Sequence, residues 1–338
     1  MSRVRLLAVA LCGVMLVVYV RACFGAQPIF DDAWGIIHHW PGDLWSSLGR
    51  EWVQPSYLAQ GVDYPDQFAW GPLAMVLQDL LAAVTGRASI TPFRLLNVAV
   101  FGATLVAVYG ATHRLTSSTT VSAVAAAILC VHPVSAEVIP WSADLFDALA
   151  ALCLAAGIWA ALGARSDRSF ILSSTVGFAL ALLSKPTAVS LGVVFPLLAA
   201  LRHVPNAPGG AHVRTILLTG VAVLACAVTH QAIYATVAPW PLGRILASKL
   251  VDDAGARETL IIAWGASLLD AGVPRVPPSL FRFVVPEVAW PRGAAGIALV
   301  IGGAGLCVTF RARRWAQLLF VGLVVWAVGL LPARTSPR

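Results

Sequence analysis

The stretch FAWGPLAMVLQDLLAAVTG (residues 68–86) decides the topology of this chain. It is apolar enough to pass for a membrane span, yet Gln78 and Asp79 fall at its middle, where an unsolvated amide and carboxylate are costly. Counted as a span, it reverses the sidedness of every later segment and carries the later basic loops across the membrane. Read as an interfacial or re-entrant helix on one membrane face, it leaves all the short basic loops on the opposite face. The second reading is the consistent one.

Composition sets the frame for that choice. The 338 residues are 59% hydrophobic and only 12% charged, with mean hydropathy +0.81, against about 25% charged residues in a soluble domain. Lipid is therefore the expected solvent for most of the chain. The formal net charge is +7, but the arginines stand at the ends of apolar runs, which is a topology signal and not a nucleic-acid stripe. Six cysteines (Cys12, Cys23, Cys130, Cys153, Cys226 and Cys307) are scattered without a CxxC or Cys/His cluster, so neither a disulfide framework nor a zinc site is indicated.

Apolar runs of span length read at 4–24, 92–112, 119–131, 143–163, 170–184, 186–201, 214–236, 294–310 and 315–332. The first follows a basic start and small residues close it, as in a signal peptide, but its length favours an uncleaved helix. The expected fold is thus an all-α polytopic membrane protein, a single domain of about nine transmembrane helices with additional juxtamembrane helices. Arg3 and Arg5 put the chain start in the cytoplasm. Alternation then leaves Arg114, the ARSDR turn, Arg202 to Arg214 and RARRW on that side as well. The 25–91 loop with its 68–86 helix, the 132–143 loop, Lys185 and the 237–292 loop with a second interfacial segment at 258–272 all fall on the exoplasmic face. No tetratricopeptide repeat or separate soluble domain is visible.

Chemistry-bearing residues collect on that exoplasmic face. PIFDDAWGIIHHWPGDLW follows the first span and carries Asp31 and Asp32. Neighbouring carboxylates at a low-dielectric boundary raise one another's pKa, which suits a general base, although a hydrated loop would look the same. His38 and His39 stand near enough in sequence for a divalent cation, without diagnostic spacing. The series Trp34, Trp40, Trp45, Trp52 and Trp70 fits an interfacial belt or sugar stacking. HPVSAEVIPWSADLFDAL supplies His132, Glu137, Asp144 and Asp147, with Asp144 either a helix cap or a pocket residue and Asp147 about a turn inside the membrane. Arg94 and Lys185 depart from the positive-inside pattern, and a cation on an acidic face implies a carboxylate or phosphate partner. No P-loop, GxGxxG, GxSxG or HExxH pattern stands in a credible context.

An acidic pair after helix one, the GPL juxtamembrane helix, FRLLN, HPVSAEVIPWSADL and LLSKPTAVSL occur here in that order, with APWPLGR (238–244) and LLP (330–332) beyond them. As a set they resemble the GT-C membrane glycosyltransferases. The similarity is greatest to bacterial relatives of the O-mannosyltransferases that carry transmembrane helices and tetratricopeptide repeats, and it covers nearly the whole chain. The resemblance implies a GT-C bundle active on the exoplasmic side, and the alanine- and arginine-rich, lysine-poor composition suits a bacterial inner membrane, whose exoplasmic side is the periplasm. The resemblance also implies inverting transfer of a sugar, typically mannose, from a polyprenyl-phosphate donor to an acceptor hydroxyl such as protein Ser/Thr or a glycan.

By the same resemblance Asp31 is the general base and Asp32 its neighbour in the catalytic pair. Arg94 and Lys185 bind the donor phosphate, and His132, Glu137 and Asp144 line the pocket or orient the acceptor. No cofactor is implied beyond an optional divalent cation. The chain departs from the family in three places. Gly71 stands where Tyr-Arg-Pro-Leu has arginine, Ser142 and Ala143 stand where an arginine is common, and the sequence ends at LLPARTSPR before the family's later motif, helices and repeats. The competing readings are a transporter or flippase for lipid-linked sugars and a C-terminally short, non-catalytic family member.

Overall fold

A computed structural model describes residues 3–25, 71–86, 89–132, 141–202 and 209–237, together with Ser135 and Ile139. Among these residues the structure is helical, with no strand. The elements are α1 (Arg3–Gly25), α2 (Pro72–Thr85), α3 (Thr91–Thr116), α4 (Thr119–Val131), a 3-10 turn (Ser142–Asp144), α5 (Leu145–Leu162), α6 (Asp167–Ser184), a 3-10 helix (Pro186–Val193), α7 (Val194–Arg202) and α8 (Gly209–Val237). Four are long and apolar enough to cross a membrane: α1, α3, α5 and α8.

The helix ends follow local chemistry. Pro72 and Pro92 sit in first turns, where a missing N–H breaks no helical bond. Ser118 caps α4 by accepting from the Val121 amide, and Ser166 and Ser169 form a reciprocal capping box on α6. α3 stops at Ser117, which closes the helix in the left-handed region at φ 55°.

The centre of the bundle is α5, packed along α6 on one side and α3 on the other. Its closest approach to α6 is at Gly157 and Gly177, where a Cβ on Gly157 would stand 2.8 Å from the Gly177 Cα. Small residues let two apolar helices approach and gain dispersion contact where lipid offers no hydrophobic drive. Gly110 of α3 leaves room for the Trp159 ring in the same way. The outward faces of α1 and α8 carry Leu7, Val17, Phe24, Leu217, Val221 and Leu224, all well exposed. Apolar surface this continuous fits a bilayer.

Contacts along the helices give their direction. Ala8 of α1 packs with Ala123 and Ala127 of α4 and with Tyr109 of α3, while Tyr19 of α1 meets Cys130 of α4 and Phe101 of α3. α1 and α4 therefore run together and α3 runs against them. The Cys23 carbonyl accepts from the Thr91 hydroxyl at 3.4 Å, so the end of α1 lies beside the start of α3. The end of α1 and the start of α3 therefore stand at one end of the bundle. At 14 residues, or about 21 Å, α2 is short of the about 30 Å hydrocarbon core. It packs against α3, α5 and α6 with Asp79 turned inward and buried, so it is an integral part of the bundle end and not a helix lying loosely on a surface.

The 186–201 run expected as one span is not one α-helix. Pro186 begins a 3-10 helix that becomes α-helical only at Val194. The segment still runs the length of the bundle. Ala188 lies in the cluster with Ala181 and Leu182 near the end of α6, and Leu198 and Ala199 reach Phe170 near its start. Eight residues at about 2.0 Å and nine at about 1.5 Å reach about 30 Å, so the stretched geometry compensates for the small residue count. The expected spans at 294–310 and 315–332, and the loops at 26–70 and 238–292, lie outside the described residues, so about nine spans is not a count the described helices supply.

Candidate functional site at the Lys185 end of the bundle

Five helix ends meet here: the C-termini of α1, α4 and α6 and the N-termini of α3 and α5, joined by α2. Prolines explain why polar groups are available. At HP (132–133), Pro133 has no N–H for the Leu129 carbonyl, which accepts from the His132 amide at 3.3 Å and from the Ser135 hydroxyl at 2.7 Å. Tyr19 Oη donates to the Cys130 carbonyl at 2.7 Å, tying the same end of α4 to α1. Ile139 is buried in the cluster with Tyr19, Cys23, Val98 and Phe101. The described part of the 132–143 loop is thus folded back on the helices.

Two amides hold the residues that lead into α5. Asn97 Nδ2 donates to the Trp141 carbonyl at 2.6 Å, and Gln78 Nε2 donates to the Ser142 carbonyl at 3.2 Å. Asn97 and Ser142 are fully buried. Sequence alone gives neither amide a role in positioning α5. The available signal was the spacing of Asn97 three residues after Arg94 inside an apolar run, which puts two polar side chains on one helix face.

At the other side of the end lies the break between α6 and the 3-10 helix. Pro186 cannot donate to the Leu182 carbonyl, its i−4 partner, and His230 of α8 lies against the Leu182 backbone. Lys185 closes α6 in extended conformation (φ −152°, ψ 123°), with its amide on the Ala181 carbonyl at 2.8 Å. That conformation sends its side chain towards α5, where Nζ forms an ion pair with Asp147 Oδ2. Gly71, at the start of α2, fits between the Ser184 carbonyl and the Phe146 ring; a Cβ there would overlap both. Glycine is therefore the residue this packing admits at position 71.

The sequence candidates distribute as follows. Lys185 is paired with Asp147, and both side chains are about one third exposed, at 32% and 39%. Arg94 is fully buried one turn into α3. Asp144 occupies the N-cap position of α5 but makes no capping hydrogen bond from its side chain. His132 closes α4, partly exposed. Asp31, Asp32 and Glu137, and with them His38, His39 and the tryptophan series, lie outside the described residues. Among the described residues no three His, Cys, Asp or Glu side chains are grouped to hold a metal ion.

The opposite end of the bundle has a different character. Arg114 donates to the Trp159 carbonyl and lies over its ring at 5.5 Å, and the Thr215 hydroxyl donates to Asp167 at 2.8 Å. The described basic residues of the expected cytoplasmic loops therefore share one end, and Arg94 and Lys185 share the other. Comparison with protein-family models, with curated proteins and with solved structures found no match to this chain.

Proposed function

We propose that this chain is a polytopic membrane glycosyltransferase of the GT-C type, transferring a sugar, mannose by resemblance, from a polyprenyl-phosphate donor to an acceptor hydroxyl. The observation that supports the reading best is the convergence of Arg94, His132, Asp144, Asp147 and Lys185 at one end of an apolar bundle, from segments far apart in sequence. The acidic pair follows α1, whose C-terminus is at that same end. In the proposed reaction Asp31 takes the proton of the acceptor hydroxyl while its oxygen attacks the sugar C1. The C1–O bond to phosphate breaks with inversion, and the polyprenyl phosphate leaves with the electron pair. A phosphate leaving group needs cationic stabilisation more than a proton, and Lys185, about one third exposed, is a cation at that end.

The test is transfer in lipid from polyprenyl-phosphate mannose to a Ser/Thr peptide. Asp31→Asn is expected to lower the rate by about 10²–10⁴-fold, the usual contribution of a general base. Equal rates in the two proteins refute Asp31 as base. Donor movement across vesicles without any transfer identifies a flippase instead.

A further inference from the structure

We propose that Asp147 is the displaceable counter-ion of Lys185, a positioning residue that holds the ammonium in place and gives it up to an incoming lipid phosphate. The inference rests on the phosphate-binding reading of Lys185 and adds to it a residue to which the resemblance assigns no role.

Geometry and exposure carry it together. Lys185 stands at a helix break, where the extended backbone fixes the direction of its side chain. Asp147 lies in the first turn of α5, where the free amides of the helix start favour an anion. Their ion pair joins α6 to α5 at the bundle end. A pair whose only task was to clamp two helices would gain from being sealed. This one is not, because each side chain keeps about a third of its surface open, 32% for Lys185 and 39% for Asp147. Lysine has three N–H donors, and the ion pair with Asp147 is one contact, so a phosphate oxygen can approach the ammonium before the carboxylate leaves. An anionic phosphate beside Asp147 then repels it, and the open side of the pair lets the carboxylate turn away. Before binding, Asp147 offsets a lysine charge that would be expensive in an apolar setting.

This exchange and a plain structural clamp predict different signs. Removing either half of a clamp weakens the same thing. Under exchange, neutralising Asp147 removes a competitor of the phosphate, and neutralising Lys185 removes its partner. The test uses the full chain in phosphatidylcholine nanodiscs, comparing parent, Asp147→Asn, Asp147→Ser and Lys185→Gln. Affinity is measured for a polyprenyl phosphate, for the matching polyprenol and for inorganic phosphate, with thermal unfolding recorded for each protein.

Asp147→Asn is expected to bind polyprenyl phosphate about three- to fivefold more tightly, the scale of a partly exposed ion pair. Lys185→Gln is expected to bind it about tenfold more weakly, with polyprenol unchanged throughout. Inorganic phosphate shifting in the same directions locates recognition in the phosphate group; a shift with polyprenyl phosphate alone locates it in the lipid-linked form. Asp147→Ser keeps the test open if the asparagine variant does not fold. Weaker or unchanged binding in folded Asp147 variants overturns the exchange. If the parent still transfers sugar, the proposed function survives that result; if no protein binds phosphate and none transfers, both fall.

Discussion

Asn97 Nδ2 lies 2.6 Å from the Trp141 carbonyl oxygen, 44 residues away in sequence, and this bond sets where α5 begins. Asn97 is fully buried on α3, so its donor has no water to fall back on. Replacing it with leucine leaves the Trp141 carbonyl without this donor. Asn97→Leu is expected to lower stability by about 1–3 kcal/mol, read as a drop in Tm in detergent. Gln78→Ala, which removes the longer, partly buried bond to Ser142, should have the smaller effect. The reverse ranking would refute this account of how α5 is positioned.

Gly71 has no space for a side chain. A Cβ there overlaps the Ser184 backbone and the Phe146 ring at once, and the backbone cannot rotate out of the way. Gly71→Ala should therefore cost about 1–3 kcal/mol through overpacking. Gly71→Arg, which adds a far larger side chain, should destabilise more. Thermal unfolding of the two variants beside the parent checks both, and a neutral Gly71→Ala would disprove the close fit.

Arg94 and Lys185 look equivalent as cations and should behave differently. Arg94 is fully buried, so Arg94→Gln alters the interior and should lower Tm by many degrees, removing a buried charge from neighbours arranged around it. Lys185 is partly exposed and its ion pair is worth at most about 1 kcal/mol, so Lys185→Gln should change Tm little. Donor binding should show the opposite contrast per folded molecule, with Lys185→Gln the more damaged. Equal losses in both assays for both variants would contradict the assignment.

Sidedness can be tested without any substrate. With the native cysteines replaced, a cysteine at Ser117 should react with an impermeant reagent only from the cytoplasmic face, and a cysteine at Asp144 only from the opposite face. The two positions bound opposite ends of the packed helices, Ser117 beside the Arg114 end and Asp144 at the Lys185 end. Labelling of both from one side would break the alternation.

Much of the fold is legible in the chain itself. Apolar runs locate the helices because a backbone in hydrocarbon must satisfy its hydrogen bonds internally. Arginine placement predicts the alternation, and Gln78 and Asp79 mark the 68–86 run as something other than a crossing. What the runs do not disclose is helix type: Pro186 is visible in sequence, but the eight-residue 3-10 stretch it opens depends on packing against α6 and α8.

The site divides along the same line. Residue chemistry and helix-end position mark Arg94, His132, Asp144 and Lys185 as candidates, since a charge in an apolar chain stands out from its neighbours. Only the folded arrangement separates them. It buries Arg94, leaves Lys185 accessible, pairs it with Asp147, and enlists Asn97 and Gln78 to hold the start of α5. Those distinctions arise from side chains meeting across distances of 38 to 64 residues. Periodicity and composition describe each segment against its solvent, whereas burial and pairing are properties of which segments meet.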